Sequence, residues 1–263
     1  MYYVLARILA CVFYRGRIVK MVIWRLVFAH FISDFLLQNR WIITNKAKLS
    51  GLAAHSLIYF IVGIMSMFDL ITSQVLMVLL SLAVLHGMVD YLKGVCRPWF
   101  GRMQWLLFLG DQAVHAVTIL IAAGIISAHA QASLSILIRT YPLELLVKYT
   151  TLMIITVVVG IHFTDAVLDS ALDLDTELDK EQERSSRAIG IAERFLITIA
   201  VLVNHYELIA FLIAAKSIIR LPEAQSGNPA RQATHFSNYF LVGTFVSYAW
   251  ALTIAIVFKR MFL

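Results

Sequence analysis

Long apolar runs dominate the chain, broken by short stretches rich in charge and turn formers. The runs are continuous rather than alternating, which reads as helix and argues against a membrane barrel. The pattern predicts helices over 21–37, 51–68, 71–92, 104–127, 143–169, 188–203, 207–221 and 237–258. Runs of about 17 residues or more recur, and each can cross roughly 30 Å of hydrocarbon as a helix. The expected fold class is therefore all-α, a polytopic membrane bundle of about seven or eight apolar helices. A break is expected at 204–206, with 188–221 forming a tight helical hairpin as the alternative.

Four regions follow. Residues 1–20 are basic and aromatic and read as an amphipathic interfacial or extension segment. Residues 21–127 form a four-helix N-terminal bundle, 128–187 a connecting helix with an acidic loop, and 188–263 the C-terminal helices.

Composition strengthens the membrane reading. Of 263 residues, 60% are hydrophobic and 14% charged, against about 25% charged in a soluble domain. The formal charge is +6, but the basic residues sit mostly in short loops. That distribution reads as topology, and no basic domain or recognition motif points to nucleic acid. Loops 38–50 and 93–103 each carry three basic residues (Arg40, Lys46, Lys48; Lys93, Arg97, Arg102), and the turn near Asp69 carries none. Both basic loops are expected on the cytoplasmic side. The basic N-terminus belongs there too, so helix 21–37 is expected to be re-entrant or interfacial. The two cysteines, Cys11 and Cys96, form no CxxC pair and no disulfide framework.

Ionisable residues are rare inside apolar spans and are functional candidates by default. Here they cluster. Helix 21–37 carries His30 and Asp34, 51–68 carries His55, 71–92 carries His86 and Asp90, and 104–127 carries Asp111 and His115. Three of these are His/Asp pairs at i,i+4, a spacing that stacks both side chains on one helical face. In an antiparallel bundle all seven fall at similar depth, beside the basic loops. Imidazole and carboxylate are the usual ligands of zinc, manganese and iron, and bundles present such ligands inward from facing helices. A divalent metal of that kind is expected, with calcium less suited. Asp34, Asp90 and Asp111 are the candidate catalytic carboxylates. The alternative is that the same residues are buried His–Asp pairs tying helices together without a metal.

The C-terminal half carries fewer signals. The acidic run from Asp173 to Glu183 lacks EF-hand spacing and reads as a solvated loop. Glu193, Arg194, Lys216 and Arg220 lie in apolar helices, either as structural ion pairs or as an anion pocket. Gly243 allows close helix approach.

Several segments resemble bacterial membrane proteins grouped as domain of unknown function 3307: AHFISDFLLQ (29–38), His55, LHGMVDYLKG (85–94), LGDQAVH (109–115), RAIGIAERF, FLIAAKSIIR and NYFLVGTFVS. The last motif has Asn238 where the family typically has an acid. More remotely, the His/Asp pattern resembles proteins described as membrane-bound metal-dependent hydrolases. The resemblance implies a bacterial inner-membrane location and a SatD-type regulator as partner. The expected function is a metal-dependent hydrolase at the cytoplasmic leaflet, acting on a phospholipid or other lipid-linked phosphate. Arg40, Lys46, Lys93 and Arg97 would hold the anion at the rim. The rival expectation is a non-enzymatic multi-pass protein, a transporter or a stress sensor working with a cytoplasmic regulator.

Overall fold

The computed structural model describes residues 2–129, 134–171, 180–226 and 231–262, with side chains over 16–129, 140–171, 186–218 and 241–262. The described chain is all-helical: α1 (Tyr2–Phe31), α2 (Arg40–Asn45), α3 (Leu49–Ser66), α4 (Ser73–Phe100), α5 (Gln104–His129), α6 (Leu134–Met153), α7 (Gly160–Ala171), α8 (Lys180–Leu202), α9 (Glu207–Ser226) and α10 (Arg231–Phe262). Five described stretches are long and apolar enough to cross a membrane: α3, α4, α5, Thr140–Ala171 and Leu241–Phe262. The protein is a polytopic helical membrane bundle.

Three elements differ from the sequence pattern, each for a local reason. First, α1 runs unbroken through residue 20, with Ile18 and Met21 both buried. Gly16 costs roughly 1 kcal/mol relative to Ala, too little to stop a helix supported on both sides. Second, α4 continues past residue 92 to Phe100. Lys93 and Arg97 are good helix formers, and the stop comes only at Gly101, whose φ of 47° suits a left-handed C-terminal glycine. Third, 143–169 is part of a longer helical stretch beginning at Leu134 and carrying a π segment at Ile154–Val159. The break at 204–206 is present: Asn204 takes φ 64°, and His205 N donates to Ala200 O at 2.9 Å. Of the acidic run, Asp173, Asp175, Glu177 and Asp179 lie outside the described residues, and from Lys180 the chain is helical.

The chain divides into two compact units, Met1–Trp99 with Leu109–Thr151, and Phe100–Phe108 with Leu152–Leu263. In the first, Val22 and Leu26 of α1, Tyr59 of α3, Leu79 and Ala83 of α4 and Ala123 of α5 pack in one apolar core. Arg25, only 1% exposed, makes a two-pronged ion pair with Asp69 in the turn between α3 and α4. Leu57, Ile61 and Met65 of α3 and Met77, Leu80, Val84 and Met88 of α4 remain exposed at helical spacing. Apolar faces of this kind are what lipid covers.

In the second unit, Ile197, Ala200, Val201, Tyr248, Ala251 and Ala255 join α8 to α10. The π segment shifts the regular i→i−4 pattern, and Trp250 Nε1 donates to Ile155 O at 2.9 Å. Lys259 closes the end of α8, donating to Val201 O, and to Asn204 Oδ1 at 2.5 Å. A lysine there supplies donors to carbonyls that have no partner within their own helix.

Candidate metal centre

His30 is the penultimate residue of α1. Beyond Phe31 the helix widens into a π turn over Ile32–Leu36, in which Leu37 N donates to Ile32 O at 3.0 Å. Single π turns are common at functional sites, and this one carries Asp34. The next residues fold back: Asn39 Oδ1 accepts from Ile42 N at 2.9 Å and caps α2. Gly51 packs against the backbone of Asn45, where a Cβ would collide with a carbonyl that cannot move aside. That close approach ties α2 to the start of α3 and brings Lys46 to the cluster.

On α3, His55 is fully buried, and on α4 His86 is 2% exposed. Gly87 has no side chain where Ser56 Oγ sits, so α3 and α4 approach closely beside the two histidines. His55 Nε2 and His86 Nε2 are 2.9 Å apart. Asp34 Oδ1 lies 3.2 Å from His55 Nε2 and 3.0 Å from His86 Nε2. Asp90 Oδ2 lies 3.1 Å and 3.9 Å from the same two nitrogens. On α5, His115 Nδ1 is 3.3 Å from His86 Nδ1, and Asp111 Oδ1 is 3.4 Å from His115 Nε2. His30 Nδ1 lies 3.9 Å from Asp34 Oδ2. All seven side chains singled out in the first four helices thus join one contact network.

The distances have a notable character. Asp34 Oδ1 and Asp90 Oδ2 are close to imidazole nitrogens, yet neither has an aligned hydrogen bond. His30 Nδ1, His55 Nδ1, Asp111 Oδ1 and His115 Nε2 are also buried without one. Buried polar atoms normally find partners. Here some ring nitrogens pair with one another, His86 with His55 and with His115, while the remaining atoms crowd close by without an aligned bond. Four ligands bonded at 2.0–2.1 Å around a tetrahedral zinc stand about 3.3 Å apart. The five distances among Asp34 Oδ1, His55 Nε2, His86 Nε2 and Asp90 Oδ2 given above scatter about that value. The residues therefore fit a divalent ion in donor type and in spacing. Among the described residues, three groups bring their ligand atoms within 4.8 Å of one another: His30, His86 and His115; Asp34, His55 and His86; and Asp34, Asp90 and His115.

Cations already sit against two of the carboxylates. Lys46 Nζ is 2.6 Å from Asp90 Oδ2, and Lys93 Nζ is 2.7 Å from Asp111 Oδ2. Both lysine side chains are part-exposed, at 28% and 35%, while the two aspartates are almost wholly enclosed. Arg40 and Arg97 are exposed.

Residues not singled out by the sequence pattern hold the rings. Gln112 Oε1 lies 3.3 Å from His30 Nε2, and Gln112 Nε2 donates to Asp111 Oδ2 at 3.0 Å. When His30 Nε2 carries the ring proton and donates to Gln112, Nδ1 is left bare toward Asp34. Gln38 Nε2 is 3.1 Å from His55 Nε2. Tyr59 stacks on His86, with centroids 4.4 Å apart and planes 8° from parallel. Tyr59 follows His55 by four residues and Gln112 adjoins Asp111, so spacing was the available signal. It does not separate them from ordinary core positions.

The charged residues of the second half form their own cluster within the second unit. Lys216 Nζ is 2.6 Å from Glu193 Oε2, and Arg194 NH1 donates to Ser247 Oγ at 2.7 Å. The Arg194 side chain lies against Gly160, where an added Cβ would press on its Cδ. The side chain of Arg220 lies outside the described residues.

One expectation about placement needs correction. Asp90 is not at the end of its helix: α4 runs on ten residues beyond it, about 15 Å of rise, through Pro98 to the stop at Gly101. His30 and Asp34, although a π turn begins between them, stay together as an i,i+4 pair, Nδ1 to Oδ2 3.9 Å.

No curated protein and no solved structure matches the chain. Residues 22–143, the stretch that carries all seven His and Asp side chains together with Lys46 and Lys93, match the model of the family described as protein of unknown function (DUF3307).

Proposed function

We propose that the chain is a membrane-embedded metal-dependent hydrolase acting at the cytoplasmic leaflet on a lipid-linked phosphate. The observation that carries the reading is the crowding of the Asp34, His55 and His86 ligand atoms within 4.8 Å of one another, with Asp34 Oδ1 buried and lacking an aligned hydrogen bond. A divalent ion held there supplies Lewis acidity and makes hydroxide available near neutral pH.

The protein's own groups divide the remaining work. Lys46 and Lys93 are tethered at the boundary between buried carboxylates and the part-exposed rim. Lys46 Nζ and Lys93 Nζ sit where a phosphate would be held beside the carboxylates, with Arg40 and Arg97 as outer basic residues. Asp111 is oriented by Lys93 and Gln112 through Oδ2, which leaves Oδ1 to accept a proton. The site borders spans that lie in lipid, so a substrate with an apolar anchor suits it better than a free solute.

The test uses purified chain in vesicles containing anionic phospholipid or a polyprenyl phosphate. Expected is metal-dependent release of a soluble phosphate-containing product, abolished in Asp34→Ala. Metal-loaded protein that turns over neither substrate overturns the hydrolase reading. One observation favours a second reading, a non-enzymatic transporter or a sensor partnered with a SatD-type regulator. The ring nitrogens of His55, His86 and His115 run in one string, and such strings also serve as proton relays. Proton flux into vesicles, lost in His86→Gln, would support it.

A further inference from the structure

Both edges of the His86 ring face ligand atoms. Nε2 is 2.9 Å from His55 Nε2 and 3.0 Å from Asp34 Oδ1, and on the opposite edge Nδ1 is 3.3 Å from His115 Nδ1. A neutral imidazole has a single N–H, so His86 itself can donate on only one of these edges. The ring is also fixed in place. Tyr59 stacks on its face, and His30 meets it at 78° with centroids 5.4 Å apart. His86 belongs to both the Asp34–His55–His86 group and the His30–His86–His115 group.

We infer that the chain holds two divalent ions and that His86 bridges them, giving Nε2 to one ion and Nδ1 to the other. The first ion takes Asp34, His55, His86 and Asp90. The second takes His30, His86 and His115. This rests on the metal-binding reading above. The second ion replaces the ring proton of His86, which leaves to solvent, so the bridging ring is an imidazolate.

Charge couples the pair to an anion. A group of charges within a span is tolerated only when nearly balanced. Two divalent ions bring four positive charges against Asp34, Asp90, Asp111 and one imidazolate. With Lys46 and Lys93 the set carries a net +2, which a bound dianionic phosphate would balance. The second group also has the three-histidine composition of catalytic zinc sites, which keep a position open. The first set, with four protein ligands, has the fuller coordination, so the two ions would differ in reactivity.

Full-length chain in lipid nanodiscs is loaded to saturation with cobalt(II). Metal per chain is measured by elemental analysis, and coupling between ions by electron paramagnetic resonance. Wild type is expected to hold two magnetically coupled cobalt ions. His30→Gln and His115→Gln are each expected to reduce the count to one, and His86→Gln to abolish the coupling. One ion per chain at saturation overturns the bridge and leaves the metal reading standing. Two uncoupled ions overturn the bridge as well. No bound cobalt at all removes the metal reading itself. If a variant does not fold, stoichiometry and coupling of the unaltered chain still decide.

Discussion

Each unit buries charged side chains among apolar helices, but the two clusters are built differently. In the second unit, Glu193 meets Lys216 and Arg194 meets Ser247, each donor facing an acceptor. Among the described residues there, Arg194 Nε and Tyr248 OH are buried without an aligned bond. In the first unit, three carboxylates and four imidazoles crowd together, and six of their atoms lack aligned bonds. The first pattern is one of discrete pairs between helices. The second adds groups of His and Asp atoms close enough to hold a metal ion. Buried charge alone therefore does not mark a site. What separates the two is how many ligand atoms crowd together.

That contrast can be broken most sharply at Asp34. Asp34→Ala removes a carboxylate that touches both His55 and His86. Metal affinity is expected to fall by more than the roughly 10–100-fold that loss of an outer partner costs, read by elemental analysis after dialysis. Unchanged metal content would place the cluster with the merely structural kind.

The complementary change is Lys216→Met. It leaves Glu193 buried without its cation, and breaking such a pair costs about 3–5 kcal/mol. Thermal unfolding in detergent should show that loss while metal content stays at the wild-type level. A drop in bound metal without loss of stability would join the two clusters functionally.

A smaller effect is expected from Gln112→Ala, which frees His30 and Asp111 from a common amide. Metal affinity should fall by roughly 10–100-fold with little change in fold, measured by competition with a chelator. The smallest effect concerns α8. Lys259→Ala removes the donor at its C-terminal end and should cost about 0.3–1 kcal/mol, with metal binding untouched.

The helices of the first unit were legible because hydrophobic runs and their breaks are local properties of the chain. The i,i+4 spacing of His86/Asp90 and Asp111/His115 was legible for the same reason, and so was the turn at Asn204. The end of α4 was misplaced because a change from apolar to basic residues marks a membrane boundary and not a helix stop, which waits for Gly101. The π turn at Ile32–Leu36 was not legible, because no residue type or spacing marks a shift from α to π hydrogen bonding.

By itself, then, the sequence determined that this is a helical membrane protein and pointed to the seven His and Asp side chains that the structure brings together. Composition and periodicity are enough for that, since lipid admits few other solutions. The tertiary structure decided which atoms meet. It put Lys46 on Asp90 by folding α2 against α3 at Gly51, and it recruited Gln38, Gln112 and Tyr59. It also gave His86 a ligand on each edge. Those contacts depend on rotation and close approach between helices far apart in the chain, which local spacing does not encode.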